Sequence, residues 1–280
     1  MSRYEPLIGP VDPPGLHVMT FNVRRRLGCA SCPPADRWRV RAPRVRTLMG
    51  TERPTLIGLQ EALPDQAALV RDALGPAFRL VGHGRSATGR GEGCPIVYDA
   101  ERLQLVHWSQ QALSDRPDSA GSRTWGNPVP RVLVAAVFTD RSTAHSFTAL
   151  NTHLDPLSRR SRERAAARIR DRAVAAGTPV VVTGDLNSGA SSAPVRTLTA
   201  GTGALRDAWV AASARLTPHW GTYARYRTPR PDGARIDWIL VSQGVTVDRS
   251  AINAGRIDGG WPSDHLPVQT VVRIAAEQRA

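Results

Sequence analysis

Six short polar signatures recur along this chain, each closing an apolar run: Phe21-Asn22, Gln60-Glu61, Asn151-Thr152-His153, Gly184-Asp185-Leu186-Asn187, Arg235-Ile236-Asp237 and Ser263-Asp264-His265. An acid, an amide or an imidazole stands where a strand should give way to a loop. Carboxylates gathered at one sheet edge suit a hard divalent cation, and Mg²⁺ prefers carboxylate and water oxygens in octahedral geometry. Such a cation offsets the repulsion between a nucleophile and an anionic phosphoester and stabilises the leaving oxygen. The pattern describes metal-assisted phosphoester hydrolysis.

Residue type divides the work. Glu61 ends an apolar strand and is the best metal ligand; a helix N-terminal acid ahead of Pro64 is the competing reading. Asp185 and Asn187 are two apart, so in an extended turn both project to one side. Asp185 would accept a proton from an attacking water or orient it, and Asn187 would donate to that water or to a phosphate oxygen. A plain Gly-Asp turn is the alternative. His153 and His265 would donate to nonbridging oxygens, where charge grows in the transition state.

The elements that must position these residues follow from periodicity and punctuation. Strands are predicted at Leu16 to Val23, Thr55 to Gln60, Phe78 to Gly82, Cys94 to Tyr98, Leu103 to Trp108, Arg131 to Thr139, Ser146 to Asn151, Pro179 to Thr183, Ile236 to Val241, Val245 to Ile252 and Pro267 to Ile274. Helices are predicted at Ala42 to Gly50, Pro64 to Leu74, Ser161 to Ala176 and Ala193 to Ala200. Cys94 to Tyr98 and Leu103 to Trp108 read as a hairpin, and Gly82 to Gly93 as a glycine-rich surface loop. Many strand–strand pairs with few helices indicate two packed sheets flanked by helices, not a doubly wound parallel sheet.

Taken in order, these residues resemble the endonuclease/exonuclease/phosphatase superfamily, the fold of pancreatic deoxyribonuclease, abasic-site endonucleases and nocturnin-type deadenylases. The likeness runs from roughly His17 to Ile274. It implies an α/β fold, a four-layer α/β sandwich of two packed mixed β-sheets flanked by helices, with a Mg²⁺ (or Mn²⁺) cofactor. By motif, Asn22 and Glu61 belong to the metal site, with Asp264 near the metal as a ligand or through water. His153 is the phosphate-contacting histidine, and Asp185 and Asn187 are the water-orienting pair. Asp237 is implied to hydrogen-bond His265 and favour its cationic form. Glu92, in Gly91-Glu92-Gly93-Cys94-Pro95-Ile96, falls where deoxyribonuclease-like members place the acid supporting the first histidine.

The details look most like a group of small bacterial members, through Phe21 to Arg24, Trp38-Arg39 and Gly121 to Trp125. Arg24, Arg123 and Arg131 are thereby candidate phosphate contacts, against ordinary surface salt bridging. The inositol-phosphatase signature Pro-Ala-Trp-Cys-Asp-Arg is replaced here by Gly233-Ala234-Arg235-Ile236-Asp237-Trp238, which argues against that branch.

Composition sets the outer bounds. A chain of 280 residues with 41% hydrophobic content can bury a large core. We expect one domain over residues 15–276, preceded by a loose, proline-rich arm at residues 1–14, and a soluble, cytoplasmic monomer, since charges interrupt every apolar run. The formal charge is +13, and all 37 basic residues are arginine. That excess attracts phosphate-bearing ligands or simply solvates the surface. The arginine-rich stretch Ser158 to Arg172 carries both readings, and Trp209, Trp220, Tyr223 and Tyr226 are either base-stacking or core aromatics. Cys29 and Cys32 form an isolated C-x-x-C with no second pair for zinc, and we assign it no function. Cys94 is expected in the core. The partner is then a phosphate-bearing substrate, either nucleic acid or a small phosphorylated metabolite. The alternative is a non-catalytic nucleic-acid-binding protein that keeps the fold, for which the intact constellation offers no sign.

Overall fold

Two parallel strand pairs, Leu16–Asn22 with Leu56–Gln60 and Ser146–His153 with Val180–Asp185, decide where the chemistry goes. The computed structural model describes residues 4–28, 32–201, 203–231 and 233–275. Strand β1 (Leu16–Asn22) crosses over through helix α1 (Trp38–Glu52) to β2 (Leu56–Gln60), then α2 (Pro64–Leu74), β3 (Phe78–Val81) and β4 (Ile96–Asp99) complete the first half. The second half begins with β5 (Leu103–Ala112), β6 (Val132–Asp140) and β7 (Ser146–His153), and crosses through α3 (Arg159–Val174) to β8 (Val180–Asp185). There follow α4 (Ala193–Thr199), the two-residue β9 (Arg206–Asp207), α5 (Ala208–Ala211), β10 (Ala214–Arg215), β11 (Asp237–Val241), β12 (Val245–Ile252) and β13 (Val268–Ile274).

These strands form a seven-stranded sheet, ordered β10-β12-β13-β1-β2-β4-β3, and a six-stranded sheet, ordered β5-β6-β7-β8-β11-β9. β1 and β2 are parallel, as are β7 and β8. A parallel pair needs a crossover, so both pairs release their carboxyl ends at one edge. Register finishes the alignment: Asn22 lies opposite Gln60, and Asp185 lies opposite both His153 and Asp237.

Side-chain alternation explains the layers. On β1, Leu16 and Val18 face the core between the sheets, while Met19 and Phe21 pack under α1 and α2. On β8, Val181 faces inward, and Val180 and Val182 meet α3 and α4. Strands apolar on both faces belong between two other layers. The stack is helix, sheet, sheet, helix, the expected α/β sandwich.

Near the site the sheets touch through polar groups. A Cβ added at Gly58 would lie 2.0 Å from Thr183 Oγ1 and 2.6 Å from Asn151 Oδ1, so only glycine permits this approach. Gln60 Nε2 donates to Asn151 Oδ1 (2.7 Å) and Thr20 Oγ1 (3.0 Å), bridging the sheets beneath the catalytic edge.

Three expectations are corrected. The proposed hairpin does not exist: β4 pairs with β2 and β3, while β5 pairs with β6 in the other sheet. Helix α1 begins at Trp38 rather than Ala42 and runs through Pro43. Its first turn is fixed by the fully buried Arg41, which donates to the carbonyls of Asp36, Val23 and Arg24. Residues 4–14 are no loose arm, since the Glu52 carboxylate accepts from the amides of Leu7 (2.9 Å), Ile8 (3.2 Å) and Gly9 (3.1 Å). Among the described residues, no helix is long and apolar enough to cross a membrane.

Candidate active site

Asp185 ends β8 almost fully buried, and four groups converge on it. Its Oδ1 accepts the Asn187 backbone amide at 2.9 Å, and its Oδ2 accepts Asn22 Nδ2 at 3.0 Å. His153 Nε2 and His265 Nε2 stand 3.5 and 3.8 Å from the same Oδ2. Burial, reinforced by the Asp237 carboxylate, pushes Asp185 up to about 7 against the pull of His265. A carboxylate held this high is matched to moving protons at neutral pH.

His265 follows the bend before β13 and lies flush against Asp237, Nδ1 to Oδ2 at 2.9 Å. Burial pulls the imidazole down, but Asp237 and Asp185 outweigh it and hold His265 at about 10. It is therefore a cation with its Nε2–H free to point into the site. Asp237 Oδ1 is buried without a hydrogen-bond partner.

His153 differs. Asn187 Nδ2 donates to the Leu154 carbonyl (2.9 Å), which fixes the orientation of the amide, and also faces His153 Nε2 at 3.0 Å. His153 Nε2 is thus an acceptor, and the ring is neutral with its proton on Nδ1. Burial together with the Arg131 and Arg85 charges drives it well below the ordinary imidazole range. The expected donation from His153 to a phosphate oxygen is not available in this arrangement. Nor are the Asn187 amide hydrogens, which His153 and Leu154 occupy.

The second group of acids surrounds the end of β2. Asn22 Nδ2 ties Glu61 Oε1 (3.2 Å) to Asp185, while its own oxygen accepts the Arg24 amide (2.9 Å). Asn22 therefore orients the two acids and turns its oxygen elsewhere. The Arg25 amide donates to Glu61 Oε2 at 3.2 Å. Arg24 lies among the acids, 3.8 Å from Glu61, 3.7 Å from Asp264 and 3.4 Å from Asp36. Arg24, Glu61 and Asn187 have φ of 54°, 54° and 46°. Asparagine tolerates the left-handed region. For arginine and glutamate it stores strain of about 1–3 kcal/mol each, as functional sites often do.

Two donor sets suit a divalent cation. Asp185, Asp237 and His265 each bring a ligand atom within 4.8 Å of one another. Glu61, joined through Asn22 to Asp185, and Asp264, on the other side of Arg24, present oxygen only, the donor chemistry of Mg²⁺ and Mn²⁺.

Facing His153 is a cationic corner. Arg131 is held by Asp155 through Nε (3.2 Å), and its buried Nη1 has no partner. Arg85, from the glycine-rich loop, pairs with Glu92 at 2.5 Å, and Arg25 reaches the other Glu92 oxygen at 3.3 Å. Glu92 therefore serves two arginines rather than His153, a departure from the expected pairing. Arg123 is exposed and donates to the Pro128 carbonyl, with no bond to the residues above.

Sequence reasoning missed Arg85, Arg41 and Asp36. Asp36 accepts the Tyr226 hydroxyl (2.7 Å) and anchors Arg24. A charged residue inside a glycine-rich loop was the available signal for Arg85. Of the aromatics weighed for stacking, Trp209 is buried, whereas Tyr223 is 44% exposed with its ring 4.8 Å from that of His265. Cys94 is buried as expected, and the Cys29–Cys32 motif lies partly outside the described residues.

Comparison with known proteins agrees with this geometry. The model of the Endonuclease/Exonuclease/phosphatase family matches residues 19–265. No curated protein matches. Among solved structures, an endonuclease/exonuclease/phosphatase from Bacteroides vulgatus is 27% identical with a TM-score of 0.85, covering 93% of this chain and 99% of its own. An endonuclease/exonuclease/phosphatase family protein from Bacteroides thetaiotaomicron is 25% identical with a TM-score of 0.86, covering 94% and 99%. A mannosyl-6-phosphatase from Bacteroides thetaiotaomicron shares the fold at 24% identity and a TM-score of 0.85, covering 92% and 99%.

Proposed function

Since the chain belongs to the endonuclease/exonuclease/phosphatase family, we propose that it is a divalent-metal-dependent phosphoesterase, with Mg²⁺ the working ion and Mn²⁺ a substitute. The observation that carries this reading is the buried Asp185, with His153 and His265 Nε2 at 3.5 and 3.8 Å from its Oδ2 and Asn22 tying it to Glu61. Glu61 and Asp264 would hold the metal, because Asp237 and His265 already satisfy one another at 2.9 Å. Bound there, the ion would supply Lewis-acid neutralisation of phosphoryl charge.

The chain's own residues then divide the remaining tasks. Asp185 orients a water in line with the scissile bond and takes its proton as the oxygen attacks phosphorus. His265, kept cationic by Asp237, donates from Nε2 to the phosphoryl oxygens. Neutral His153 holds the Asn187 amide, whose backbone N–H steadies Asp185. Arg131, with an unpartnered Nη1 on the His153 side, would supply a free donor for a nonbridging oxygen. Arg24 joins the metal pocket rather than this corner, and Arg123 has no part in the floor.

The reacting groups lie deep: Asp185 is 1% exposed, His265 5% and His153 6%. A recessed floor favours a terminal phosphate, on a small phosphorylated metabolite, over the flank of a continuous duplex. A second reading, nuclease action, draws on the +13 charge and the arginine-rich α3. The test is hydrolysis of p-nitrophenyl phosphate, bis-p-nitrophenyl phosphate, plasmid DNA and RNA by wild type and Asp185→Ala, with Mg²⁺ or EDTA. We expect Mg²⁺-dependent hydrolysis that Asp185→Ala abolishes, with the monoester preferred. Activity that survives both EDTA and the substitution would refute the assignment, and preference for DNA or RNA would select the second reading.

A further inference from the structure

The acidic pocket that would hold the metal already contains a cation belonging to the chain. Arg24 Nη1 stands 3.8 Å from Glu61 Oε2, and Arg24 Nε stands 3.7 Å from Asp264 Oδ2. These are the two carboxylates assigned above to the metal. Behind it, Arg24 Nε and Nη2 reach the two Asp36 oxygens at 3.4 Å each.

The guanidinium is braced from several sides. Asp36 is held by the Tyr226 hydroxyl at 2.7 Å and lies 3.8 Å from the Arg41 guanidinium. Arg41 Nη2 donates to the Arg24 carbonyl at 2.9 Å, and Asn22 Oδ1 accepts the Arg24 amide at 2.9 Å. The backbone at Arg24 is left-handed, φ 54°, a conformation an arginine adopts only when its surroundings impose it. A solvated surface arginine would need none of this bracing. Left-handed backbone at Arg24 and the fully buried Arg41 behind it keep one positive charge, itself 29% exposed, beside Glu61 and Asp264.

We propose that Arg24 is a positioning residue that acts as a resident monovalent occupant of the acidic pocket, neutralising part of the Glu61–Asp264 pair so that the site binds a single divalent cation. This rests on the assignment of Glu61 and Asp264 as metal ligands. A divalent ion brought to a pocket already holding a guanidinium meets direct repulsion, and charge count at a site sets how many ions it takes and how tightly. Arg24 therefore selects for one ion and leaves phosphate recognition to the Arg131 and Arg85 corner.

The experiment is Mn²⁺ titration into the full chain, with bound ions counted from the free-ion EPR signal, for wild type, Arg24→Gln and Arg24→Lys. Wild type is expected to bind one Mn²⁺. Arg24→Gln should bind a second ion, or hold the first about tenfold tighter or more, because the competing charge is gone. Arg24→Lys keeps the charge and should still bind one. Two ions in wild type, or an Arg24→Gln titration superimposable on wild type, would overturn the role of Arg24 while leaving the metal assignment intact. No binding to wild type at millimolar Mn²⁺ would overturn the metal assignment and this inference with it. The wild-type count stands as a test even if Arg24→Gln does not fold.

Discussion

Two buried carboxylates in this molecule show opposite uses of the same group. Glu52, at the end of α1, is fully buried and saturated: three backbone amides, the Tyr4 hydroxyl (3.2 Å) and Asn253 Nδ2 (2.9 Å) all donate to it. Asp185, equally buried, has two donors, a neutral histidine, and a second carboxylate whose push the His265 cation at 3.8 Å only partly offsets. A saturated carboxylate is a knot that ties the N-terminal segment to the sheet. One left short of donors keeps its charged form costly and its proton mobile. Supply of donors, not depth, separates structural acid from functional acid.

The sharpest break of this comparison is Asp185→Asn. Losing the proton acceptor should lower kcat/KM about 10³–10⁴-fold, near the upper range for a positioned general base. The same substitution should raise the stability of metal-free protein at pH 8 by about 2 kcal/mol. The sign follows from the folded-state pKa near 7, above the ordinary carboxylate value: folding is opposed once pH exceeds the unfolded value, and most fully above 7. Urea melts at pH 8 and pH 4 check this, since the gain should vanish at pH 4. A loss of stability at pH 8 would place Asp185 with Glu52 as a structural acid.

Glu52→Gln is the mirror experiment. It removes the charge that three amides and a phenol converge on, and should cost about 3 kcal/mol in a urea melt. Activity per folded molecule should stay within about twofold, because none of these partners touches the catalytic edge. A specific loss of turnover would mean the N-terminal segment communicates with the site.

How much of this was legible in the sequence differs between the same two regions. The catalytic edge could be read because β1, β2, β7 and β8 each hold an apolar stretch that gives way to polar residues at the carboxyl end, and parallel pairing brings those ends together. The Glu52 knot could not be read. Its partners lie 43 or more residues away, and a proline-rich segment gives no sign of a single distant acid collecting its amides. The absent β4–β5 hairpin failed similarly, by assuming that neighbours in sequence pair. The half-exposed pattern of β5 beside the buried β4 marks it as the edge of another sheet. Glu92 was placed near the site but given the wrong partner, because Arg85 sat in a loop read only as glycine-rich. Nothing in 37 arginines distinguishes the buried Arg41 from those on α3.

Asp237→Asn tests a third level of donor supply. Asp237 gives one oxygen to His265 and leaves the other unpartnered, so it is intermediate between Glu52 and Asp185. The amide would still contact Nδ1 but would no longer hold the ring cationic. Turnover should fall about 10²-fold, with KM nearly unchanged, as for loss of one charge-stabilising donor. NMR of the His265 ring should show its pKa dropping from about 10 toward the ordinary imidazole range. A ring that stays cationic in Asp237→Asn would show that Asp185 alone supports it.

The finest distinction lies within the Glu52 knot. Tyr4 shares its hydroxyl between Glu52 Oε1 and Asn253 Nδ2 (2.6 Å), and its phenol is partly buried. Tyr4→Phe removes both bonds but keeps the ring, while the Leu7, Ile8 and Gly9 amides and Asn253 still satisfy the carboxylate. The cost should be about 1 kcal/mol, the net value of a hydrogen bond whose partner is not abandoned. Combined with Glu52→Gln, the two losses should fall short of their sum, because the acid is what the phenol was bound to. Additive losses would mean that Tyr4 works through packing and Asn253. The knot would then be several independent ties, and saturation of Glu52 would not be what holds the segment down.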